Sequence, residues 1–256
     1  MNTSAKKLIV GCRATTIPKE VTIIGSFAFK GHSELLDINL HSGLVTIEQE
    51  AFFDCSKLSN LNRGETGVSA ASIPEGIQSI GASAFSRCTE LGNNSDTQPL
   101  IIPSTTHHLQ GNPFTYTPKI KKIQVASGNH NYEDRSCDAV FTINSDDLII
   151  GCQSSIIPSD CKQIGDYAFC GCSSLTGINS DGVTITIPES VTTSDDYHGI
   201  GTSAFAYSGV TVMKIPSSVE DIKAGTFQGC SHLSKITLHD GITSIGSNAF
   251  DRCGSL

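Results

Sequence analysis

Residues 17–40 read IPKEVTIIGSFAFKGHSELLDINL, and this stretch decides the fold. It contains, in order, an Ile-Pro pair, an Ile-Gly pair, an Ala-Phe pair and a Leu before a run of alternating apolar residues. The same order returns in residues 157–178, where Ile164-Gly165 and Ala168-Phe169 keep the spacing. A unit of this length cannot bury its own apolar side, so we expect copies of it to stack on one another.

Phenylalanine marks one position of the repeat along the whole chain. The eight repeat phenylalanines are Phe29, Phe52, Phe85, Phe114, Phe169, Phe205, Phe227 and Phe250. The first two and the last two are 23 residues apart, and the longer intervals fit the same unit with insertions. A fixed period in the twenties predicts a solenoid of about eight coils, in which the phenylalanines stack as a buried ladder.

The apolar pattern within a unit predicts its local structure. The run Leu-x-x-Ile-x-Ile-Pro alternates as a β-strand does and ends at a proline that lacks one backbone donor, so a parallel strand is expected there. The segment that ends in Ile-Gly predicts a second, short extended piece. The Ala-Phe-x-x-Cys segment has helical spacing over a short length, which predicts a single helical or 3₁₀ turn.

The interval between the fourth and fifth repeat phenylalanines is too long for a turn and predicts an insert with its own structure. Within residues 126–151, two β-prone runs, 138–143 and 148–150, flank the turn-forming residues 144–147. This arrangement predicts an inserted β-hairpin.

The sequence has a second internal similarity in addition to the 23-residue repeat. Residues 8–35 match residues 148–175 at an offset of 140, including Cys12 with Cys152. The first residues therefore match the tail of a hairpin, and the last residues stop within a repeat. Both features predict that the chain is a piece of a longer protein.

Half of the ten cysteines share one repeat position, three residues after the phenylalanine. They are Cys55, Cys88, Cys172, Cys230 and Cys253. A small buried thiol behaves as a hydrophobic residue, so reduced core cysteines are expected rather than disulfides. Cys170 and Cys172, with Cys152 and Cys161 upstream, resemble a zinc site only superficially, because such a site needs four converging ligands. Cys170 and Cys137 are predicted to be the reactive thiols.

Composition limits the classes of function. The net charge of −8 and the pI near 5.4 argue against non-specific nucleic-acid binding. Lys119, Lys121 and Lys122 form a basic cluster, which is expected to be a solvated surface. No apolar stretch approaches the roughly 18 residues of a membrane span, and residues 1–12 lack the apolar core of a secretory signal.

Residues that could support catalysis occur without the partners that the chemistry needs. The sequence has no nucleophile elbow, His-Glu-x-x-His motif or phosphate loop. His107 and His108 are predicted to lie in a turn, because the sequence points to no carboxylate partners for them. His41 and His239 follow equivalent strand positions, which favours a structural or surface role. We therefore predict no catalytic, cofactor-binding or metal-binding residue, and the ligand-binding residues stay unassigned.

Insertions supply one candidate binding surface, and the outward side of the strands supplies another. Residues 62–72, 92–100 and 179–186 all precede the strand of a unit, so these polar loops would form one rim. Two interpretations are equally open: the rim recognises a partner, or the insertions are tolerated without a function. The outward strand residues are Asp37, Asn39, Lys214, Lys235 and Thr237. Extended faces of this kind bind partners in solenoids.

These motifs resemble the leucine-rich repeats of the BspA-like bacterial surface-antigen family. In that family a unit carries an Ile-Pro strand end, an Ile-Gly step, an Ala-Phe pair and a Cys followed by Leu. Nearly the whole chain is covered, and residues 111–114, before the insert, and 138–141, within it, add to the match. At the Cys and Gly positions, the departures from the pattern are His32, Thr117, Ser208, Glu48 and Lys223.

The resemblance implies an α/β repeat fold, a right-handed leucine-rich-repeat solenoid that is β-rich, with short helical or 3₁₀ turns and the inserted hairpin. It implies one solenoid domain over residues 1–256, a place at the cell surface, and binding to host proteins, matrix or other cells, with glycans as a further ligand class. No enzymatic activity, cofactor, nucleic-acid binding or direct membrane insertion is expected. The alternative function is a spacer or stalk that presents another domain, and an enzyme would need an appended domain or a cryptic site in the hairpin insert.

Overall fold

A computed structural model of the chain describes residues 6–62, 72–92, 98–175, 184–194 and 197–256. The chain divides into two compact units, unit 1 (Met1–Tyr132) and unit 2 (Glu133–Leu256). The prediction of one continuous solenoid domain stays a prediction.

Unit 1 consists of short parallel strands that recur along the repeat. Its strands are β1 (Lys6–Leu8), β2 (Val21–Ile24), β3 (Thr46–Ile47), β4 (Ser79–Ile80), β5 (Leu100–Ile102), β6 (His108–Leu109) and β7 (Ile123–Val125), with β8 (Tyr132–Glu133) at the boundary. The segments that end in Ile-Gly, or its equivalent, form β2, β3, β4 and β6 of one parallel sheet, and β1 lies at the edge of that sheet. β5 and β7 come from the Ile-x-Ile-Pro segments and pair in parallel. Both predicted extended segments of the repeat are therefore confirmed.

Unit 2 repeats this arrangement and begins with the insert. Its strands are β9 (Ala139–Thr142), β10 (Asp147–Gly151), β11 (Gln163–Ile164), β12 (Thr184–Thr186), β13 (Val212–Lys214), β14 (Asp221–Ile222), β15 (Lys235–Thr237) and β16 (Ser244–Ile245). β9 and β10 pair antiparallel, so the predicted inserted hairpin is confirmed. β10 also pairs in parallel with β11, which joins the hairpin to the first coil of the unit. β12, β13 and β15 form a parallel sheet at the Ile-x-Ile-Pro positions.

The repeat phenylalanines form a stacked ladder in each unit, as predicted. In unit 1 the ring centroids are 4.9, 5.2 and 5.4 Å apart along Phe29, Phe52, Phe85 and Phe114. In unit 2 they are 5.0, 5.7 and 5.5 Å apart along Phe169, Phe205, Phe227 and Phe250. All but the last of these rings are buried. Full burial of a phenylalanine contributes roughly 1.5–3 kcal/mol, so the two ladders are a principal source of stability.

The Ala-Phe segments form successive β-turns, and the predicted helical or 3₁₀ turn is not confirmed. No α-helix or 3₁₀ helix occurs among the residues that the structure describes. Every second amide bonds to the carbonyl three residues before it, as from Ala28 N to Gly25 O at 3.1 Å. The amides between them bond to the next coil instead, as from Phe29 N to Ala51 O at 2.7 Å. A 3₁₀ helix would need all of these amides for itself, whereas here half of them join neighbouring coils.

These turns place a residue in the left-handed backbone region after each repeat phenylalanine and, at all of them except Phe114, also before it. Two residues before it, they are Phe27, Glu50, Ser83, Tyr167, Ser203, Gly225 and Asn248. Two residues after it, they are Gly31, Asp54, Arg87, Tyr116, Gly171, Tyr207, Gly229 and Arg252. Only four of these fifteen residues are glycines, although glycine adopts this conformation without the steric penalty that a Cβ brings.

The cysteine position of the repeat carries a hydrogen-bond donor as well as a small side chain. The thiols of Cys55 and Cys230 donate to the carbonyls of Phe29 and Phe205 in the preceding coil, each at 3.0 Å. His32 occupies the same position, and its Nε2 lies 2.7 Å from the carbonyl oxygen of Gly11. The position therefore links neighbouring coils through side-chain hydrogen bonds to the backbone.

A charged side chain replaces a turn glycine at Glu48 without being left unpaired. Its carboxylate lies 2.6 Å from Nζ of Lys7 and accepts hydrogen bonds from the amide and hydroxyl of Ser26 at 2.8 and 2.9 Å. The hydrogen bond from Lys7 lowers the pKa of Glu48. Lys223, at the same repeat position in unit 2, forms an ion pair with Asp221.

Candidate binding surfaces

A groove runs along the strand side of unit 1, and we call it the strand-face groove. Its first part has a volume of about 530 Å³ and is lined by Thr15, Thr16, Ile17, Pro18, Lys19, Ile38, Asn39 and His41. Its second part has a volume of about 680 Å³ and is lined by Lys19, Asn39, Leu40, His41, Ser42, Asn62, Ser72, Ile73, Pro74, Glu75, Ile101 and Ala126. Three residues, Lys19, Asn39 and His41, line both parts, so the two cavities adjoin.

The first part of the groove opens where two neighbouring coils are not joined by backbone hydrogen bonds. Among the described residues, no such bond connects residues 15–17 to residues 38–40. The following coil is connected, since Ile38 N donates to Asn60 O at 2.9 Å. A gap in the ladder of strands therefore leaves space between the first two coils.

Strand alternation places Asn39 at the groove. Its neighbours Ile38 and Leu40 are buried in the coil, so the side chain between them points outward. Asn62 forms a β-bridge with Asn39, and its side-chain amide donates to the carbonyl of Ser72 at 2.8 Å. The prediction that Asn39 lies on an outward surface is confirmed.

His41 joins the groove to the backbone of the preceding coil. Its Nδ1 accepts the amide of Gly43 at 3.1 Å, so Nε2 carries the proton and donates to the carbonyl of Pro18 at 3.1 Å. His239 makes the same pair of contacts in unit 2, with Nε2 2.9 Å from the carbonyl of Val219. The predicted structural role of both histidines is confirmed, and His41 also presents one edge to the groove.

Opposite charges lie along the same groove. Lys19 and Glu75 are both exposed and line its second part. The carboxylate of Glu75 accepts hydrogen bonds from the amide and hydroxyl of Ser104 at 3.1 and 2.9 Å, which orient it. The groove thus offers an apolar floor, the amide group of Asn39, one cation and one anion.

Unit 2 has a smaller cavity at the equivalent place. It has a volume of about 270 Å³ and lies between Ile156 and Thr186, with the rings of Phe169 and Phe205 in its lining. Its lining residue Ser155 corresponds to Thr15 of the strand-face groove at the offset of 140. The same opening therefore follows the hairpin tail in each unit.

The remaining predicted strand residues occupy exposed or half-buried positions. In unit 2, Lys214 of β13 lies beside Thr237 of β15, and Lys235 lies beside Val212. Lys214, Lys235 and Thr237 are exposed, as predicted. Asp37 is half-buried in unit 1.

The predicted loop rim falls largely outside the described residues. Most of residues 62–72, 92–100 and 179–186 belong to the undescribed parts of the chain. Recognition by these loops stays a prediction.

The prediction of reactive thiols is wrong. Cys137 and Cys170 are buried, and burial raises the pKa of Cys137 to about 11. Cys12 is exposed instead, and a hydrogen bond with the Thr15 hydroxyl lowers its pKa. The pattern Leu-Ile-x-Gly-Cys of the hairpin tail marks Cys12, but its sequence neighbours do not show whether a hairpin strand covers it.

The other candidates for chemistry are dispersed. No disulfide joins any of the ten cysteines, and no group of three or more His, Cys, Asp or Glu side chains suited to a metal comes together in the described part of the chain. His108 lies in β6 and His107 just before it, so the prediction that this pair lies in a turn is wrong, and both side chains are exposed. Lys119 of the basic cluster forms an ion pair with Glu90.

Comparison with known proteins identifies the family. The model of the BspA type leucine-rich repeat region matches residues 10–144 and 149–256, with six copies of the repeat. The chain therefore belongs to this family of leucine-rich repeat proteins. No helix among the described residues is long and apolar enough to cross a membrane.

Solved structures agree with this fold. A leucine-rich repeat protein of Eubacterium ventriosum is 17% identical with a TM-score of 0.60, over 93% of this chain and 69% of that chain. The pneumococcal vaccine antigen PcpA is 21% identical with a TM-score of 0.58, over 95% of this chain and 69% of that chain. A leucine-rich cell surface protein of Faecalibacterium prausnitzii is 19% identical with a TM-score of 0.54, over 98% and 81%. The comparison with curated proteins gives no match.

Proposed function

We propose that the chain is a non-enzymatic recognition or adhesion module at a cell surface, which binds host proteins, matrix proteins or other cells. The strand-face groove is the observation that carries this proposal. Each of its two parts has the volume of a typical ligand site, and together they follow the strands rather than close around a small molecule. Extended faces of this kind are where solenoids bind partners.

The chemistry of the groove suits a polypeptide ligand. Asn39 presents an amide group, and Lys19 and Glu75 can pair with either sign of charge. Two of the structural neighbours are described as a vaccine antigen and a cell surface protein, which supports a surface location for this chain. We also propose that the coils wind in the right-handed sense, because crossovers between parallel strands are almost always right-handed.

The test is binding of the purified chain to arrayed extracellular-matrix proteins and glycans. Asn39→Arg places a long cation in the groove, whereas Asn131→Arg makes the same change at an exposed position outside its lining and serves as the matched control. We expect a saturable signal that Asn39→Arg reduces at least about tenfold, by steric exclusion and desolvation, and that Asn131→Arg leaves unchanged.

Other outcomes separate the alternatives. A signal that survives Asn39→Arg but is lost when residues 62–72, 92–100 and 179–186 are shortened would move recognition from the groove to the loop rim. No saturable signal from the folded wild-type chain on proteins or glycans would overturn the recognition proposal and favour the spacer. Replacement of the chain by an unrelated rigid rod of similar length would then preserve function in the parent protein.

A further inference from the structure

A line of alternating rings and cations crosses the turn side of unit 1, and we call it the turn-face stripe. Its members are Phe27, Lys30, Phe53, Arg87 and Tyr116. Nζ of Lys30 lies 5.1 Å from the ring centroid of Phe27 and 4.8 Å from that of Phe53. The guanidinium carbon of Arg87 lies 5.8 Å from the ring centroid of Phe53 and 5.3 Å from that of Tyr116. None of these residues lines the strand-face groove, so the stripe is a separate surface.

The backbone beneath the stripe is fixed by hydrogen bonds between coils. The amide of Gly31 donates to the carbonyl of Phe53 at 2.8 Å, and the amide of Arg87 donates to the carbonyl of Thr115 at 3.0 Å. The side chain of Arg87 is nevertheless exposed. A ligand would therefore meet a surface that is already ordered, which lowers the entropy cost of binding.

Arg87 is the cation of the stripe whose charge is not neutralised. Lys30 forms an ion pair with Glu50, with Nζ 2.5 Å from a carboxylate oxygen. Arg87 forms no ion pair in the described part of the chain, and neither does Asp54, the exposed residue at the same repeat position one coil before. Because rings on both sides hold the planar guanidinium, its N–H donors are available to a ligand.

Unit 2 has no counterpart of this arrangement at the same repeat position of its described residues. The residues that correspond to Arg87 there are Gly171, Tyr207, Gly229 and Arg252. Arg252 is exposed, and its Nε lies 3.5 Å from the carboxylate of the adjacent Asp251. A cation held between two rings on the turn side is therefore a property of unit 1 rather than of the repeat.

We propose that the turn-face stripe binds a carboxylated pyranose, the sugar unit of uronic-acid and sialic-acid glycans. The guanidinium fork of Arg87 matches a carboxylate in a bidentate contact. Asp54 accepts hydrogen bonds from the sugar hydroxyls, and the rings of Phe53 and Tyr116 pack against its C–H groups. The free carboxylate of Asp54 also disfavours a densely sulfated chain by like-charge repulsion. This ligand goes beyond the proposed function, because it uses a different surface.

The spacing of the coils favours a glycan over a peptide. Successive coils of unit 1 are 4.9, 5.2 and 5.4 Å apart at the repeat phenylalanines. An extended peptide advances only about 3.3 Å per residue, whereas one pyranose unit of an extended glycan spans about one coil. One sugar carboxylate therefore meets Arg87 while the neighbouring units follow the stripe.

Two probes separate the sources of such a sugar, a hyaluronan oligosaccharide for uronic acid and sialyllactose for sialic acid. Saturation-transfer NMR on the full chain gives their affinities, with neutral lactose as the reference ligand. We expect saturable binding of at least one charged probe and none of lactose. Binding of hyaluronan alone would assign a uronic acid, and binding of sialyllactose alone would assign a sialic acid.

Substitutions at Arg87 test the contact itself. Arg87→Gln should weaken binding by at least about tenfold, because it removes the charge-assisted bidentate contact. Arg87→Lys keeps the charge but not the planar fork and should weaken binding by at least about threefold. Arg252→Gln makes the same change at the same repeat position of unit 2 and, as the matched control, should have no effect. Phe53→Leu should also weaken binding, because the guanidinium loses one of its two rings.

Contrary results are equally specific. Equal binding by the Arg87→Gln chain, equal binding of lactose, or no binding of either charged probe to the folded wild-type chain would each overturn the proposal. A glutamate-containing peptide that displaces the sugar with equal affinity would overturn the assignment to a glycan and give the stripe to an acidic protein. Asn39→Arg should leave the sugar bound, so this test and the test of the strand-face groove succeed or fail independently.

Discussion

Truncation of one ring in the unit 1 ladder should measure what stacking adds to burial. Phe52 is fully buried and stacks on Phe29 at 4.9 Å and on Phe85 at 5.2 Å. Phe52→Leu keeps an apolar side chain but removes both aromatic pairs. Such pairs contribute about 0.5–1.5 kcal/mol each beyond burial, so this part of the loss should be about 1–3 kcal/mol.

Phe114→Leu is the matched control in the same unit. Phe114 is also buried, with 4% exposure, but it stacks on Phe85 alone, at 5.4 Å. The transfer and cavity terms of a Phe→Leu change are similar at the two buried positions and largely cancel in the comparison. The control should therefore lose about 0.5–1.5 kcal/mol of stacking, roughly half the loss at Phe52.

Hydrogen exchange measured by mass spectrometry on the full chain gives the free energy of opening for the coils around each ring. Equal losses in the two variants would refute the argument, because the number of stacked faces would then make no difference. If Phe52→Leu lowers the free energy of opening only by the transfer and cavity terms, the rings contribute through burial alone.

Three further predictions follow from single side chains. Glu48→Gln should lower the free energy of unfolding near pH 7, and the deficit should vanish as the pH falls through the lowered pKa of Glu48 in the folded chain. Glu34→Gln, at an exposed ion pair, should change little at any pH. Gly31→Ala should destabilise the chain by about 1 kcal/mol because φ is +75° there, whereas Gly254→Ala, equally open but outside the left-handed region, should be neutral in urea titration. In the native chain Cys12 should react first with a disulfide reagent, and Cys12→Ser should remove that fast phase.

Each of these three predictions would be contradicted by a specific result. A Glu48→Gln deficit that does not change with pH would assign the effect to packing rather than to charge. Equal stability of the two alanine variants would show that the backbone at Gly31 relaxes freely. Fast reaction of Cys137 in the native chain would contradict its burial, whereas reaction of the half-buried Cys253 would not.

The stacking register could be predicted from the sequence because the residues that fill the coil repeat with it. Phe29 and Phe52 are one unit apart, and both rings are fully buried in the stack of coils. Only a large flat apolar side chain therefore fits well at this position. The hairpin was predictable for a related reason. Val140 and Ile150 lie on paired β-prone runs whose turn residues are polar.

The strand-face groove could not be predicted in this way, because it depends on a pairing that does not form. Residues 15–17 and 38–40 carry the same strand pattern as the paired segments, yet no backbone hydrogen bond joins them in the described structure. The position of Asn39 on an outward face follows from alternation, but the space in front of it follows from the distance between coils. A local sequence pattern specifies the outward position of Asn39, but it does not determine the distance between the coils.

The left-handed positions were missed because their residues are not the ones that mark such a backbone. Arg87 and Phe27 adopt positive φ where glycine would be less strained. Outside the coil, however, the Arg87 guanidinium lies 5.3 Å from the ring of Tyr116, and Lys30 lies 5.1 Å from the ring of Phe27 and 4.8 Å from that of Phe53. Cation–π contacts of this kind contribute about 0.5–1 kcal/mol at exposed sites, which offsets part of the strain.

The cysteine position of the repeat was correctly predicted to be buried, but its requirement for a hydrogen-bond donor was not recognised from the sequence. As a small hydrophobic position it would accept Ala or Val, and His32, Thr117 and Ser208 would be departures from the pattern. Every residue found there, however, carries a side-chain hydrogen-bond donor, and His32 bonds to the Gly11 carbonyl where Cys55 bonds to that of Phe29. Since S–H donors are weak, the thiol is one solution among several to the same requirement. The repeat therefore favours a side-chain donor at this position, but the departures use it differently. His32 reaches the preceding segment as the cysteines do, whereas Thr117 donates to the Phe114 carbonyl of its own coil and the Ser208 hydroxyl lies 3.5 Å from the Cys230 sulfur of the following coil.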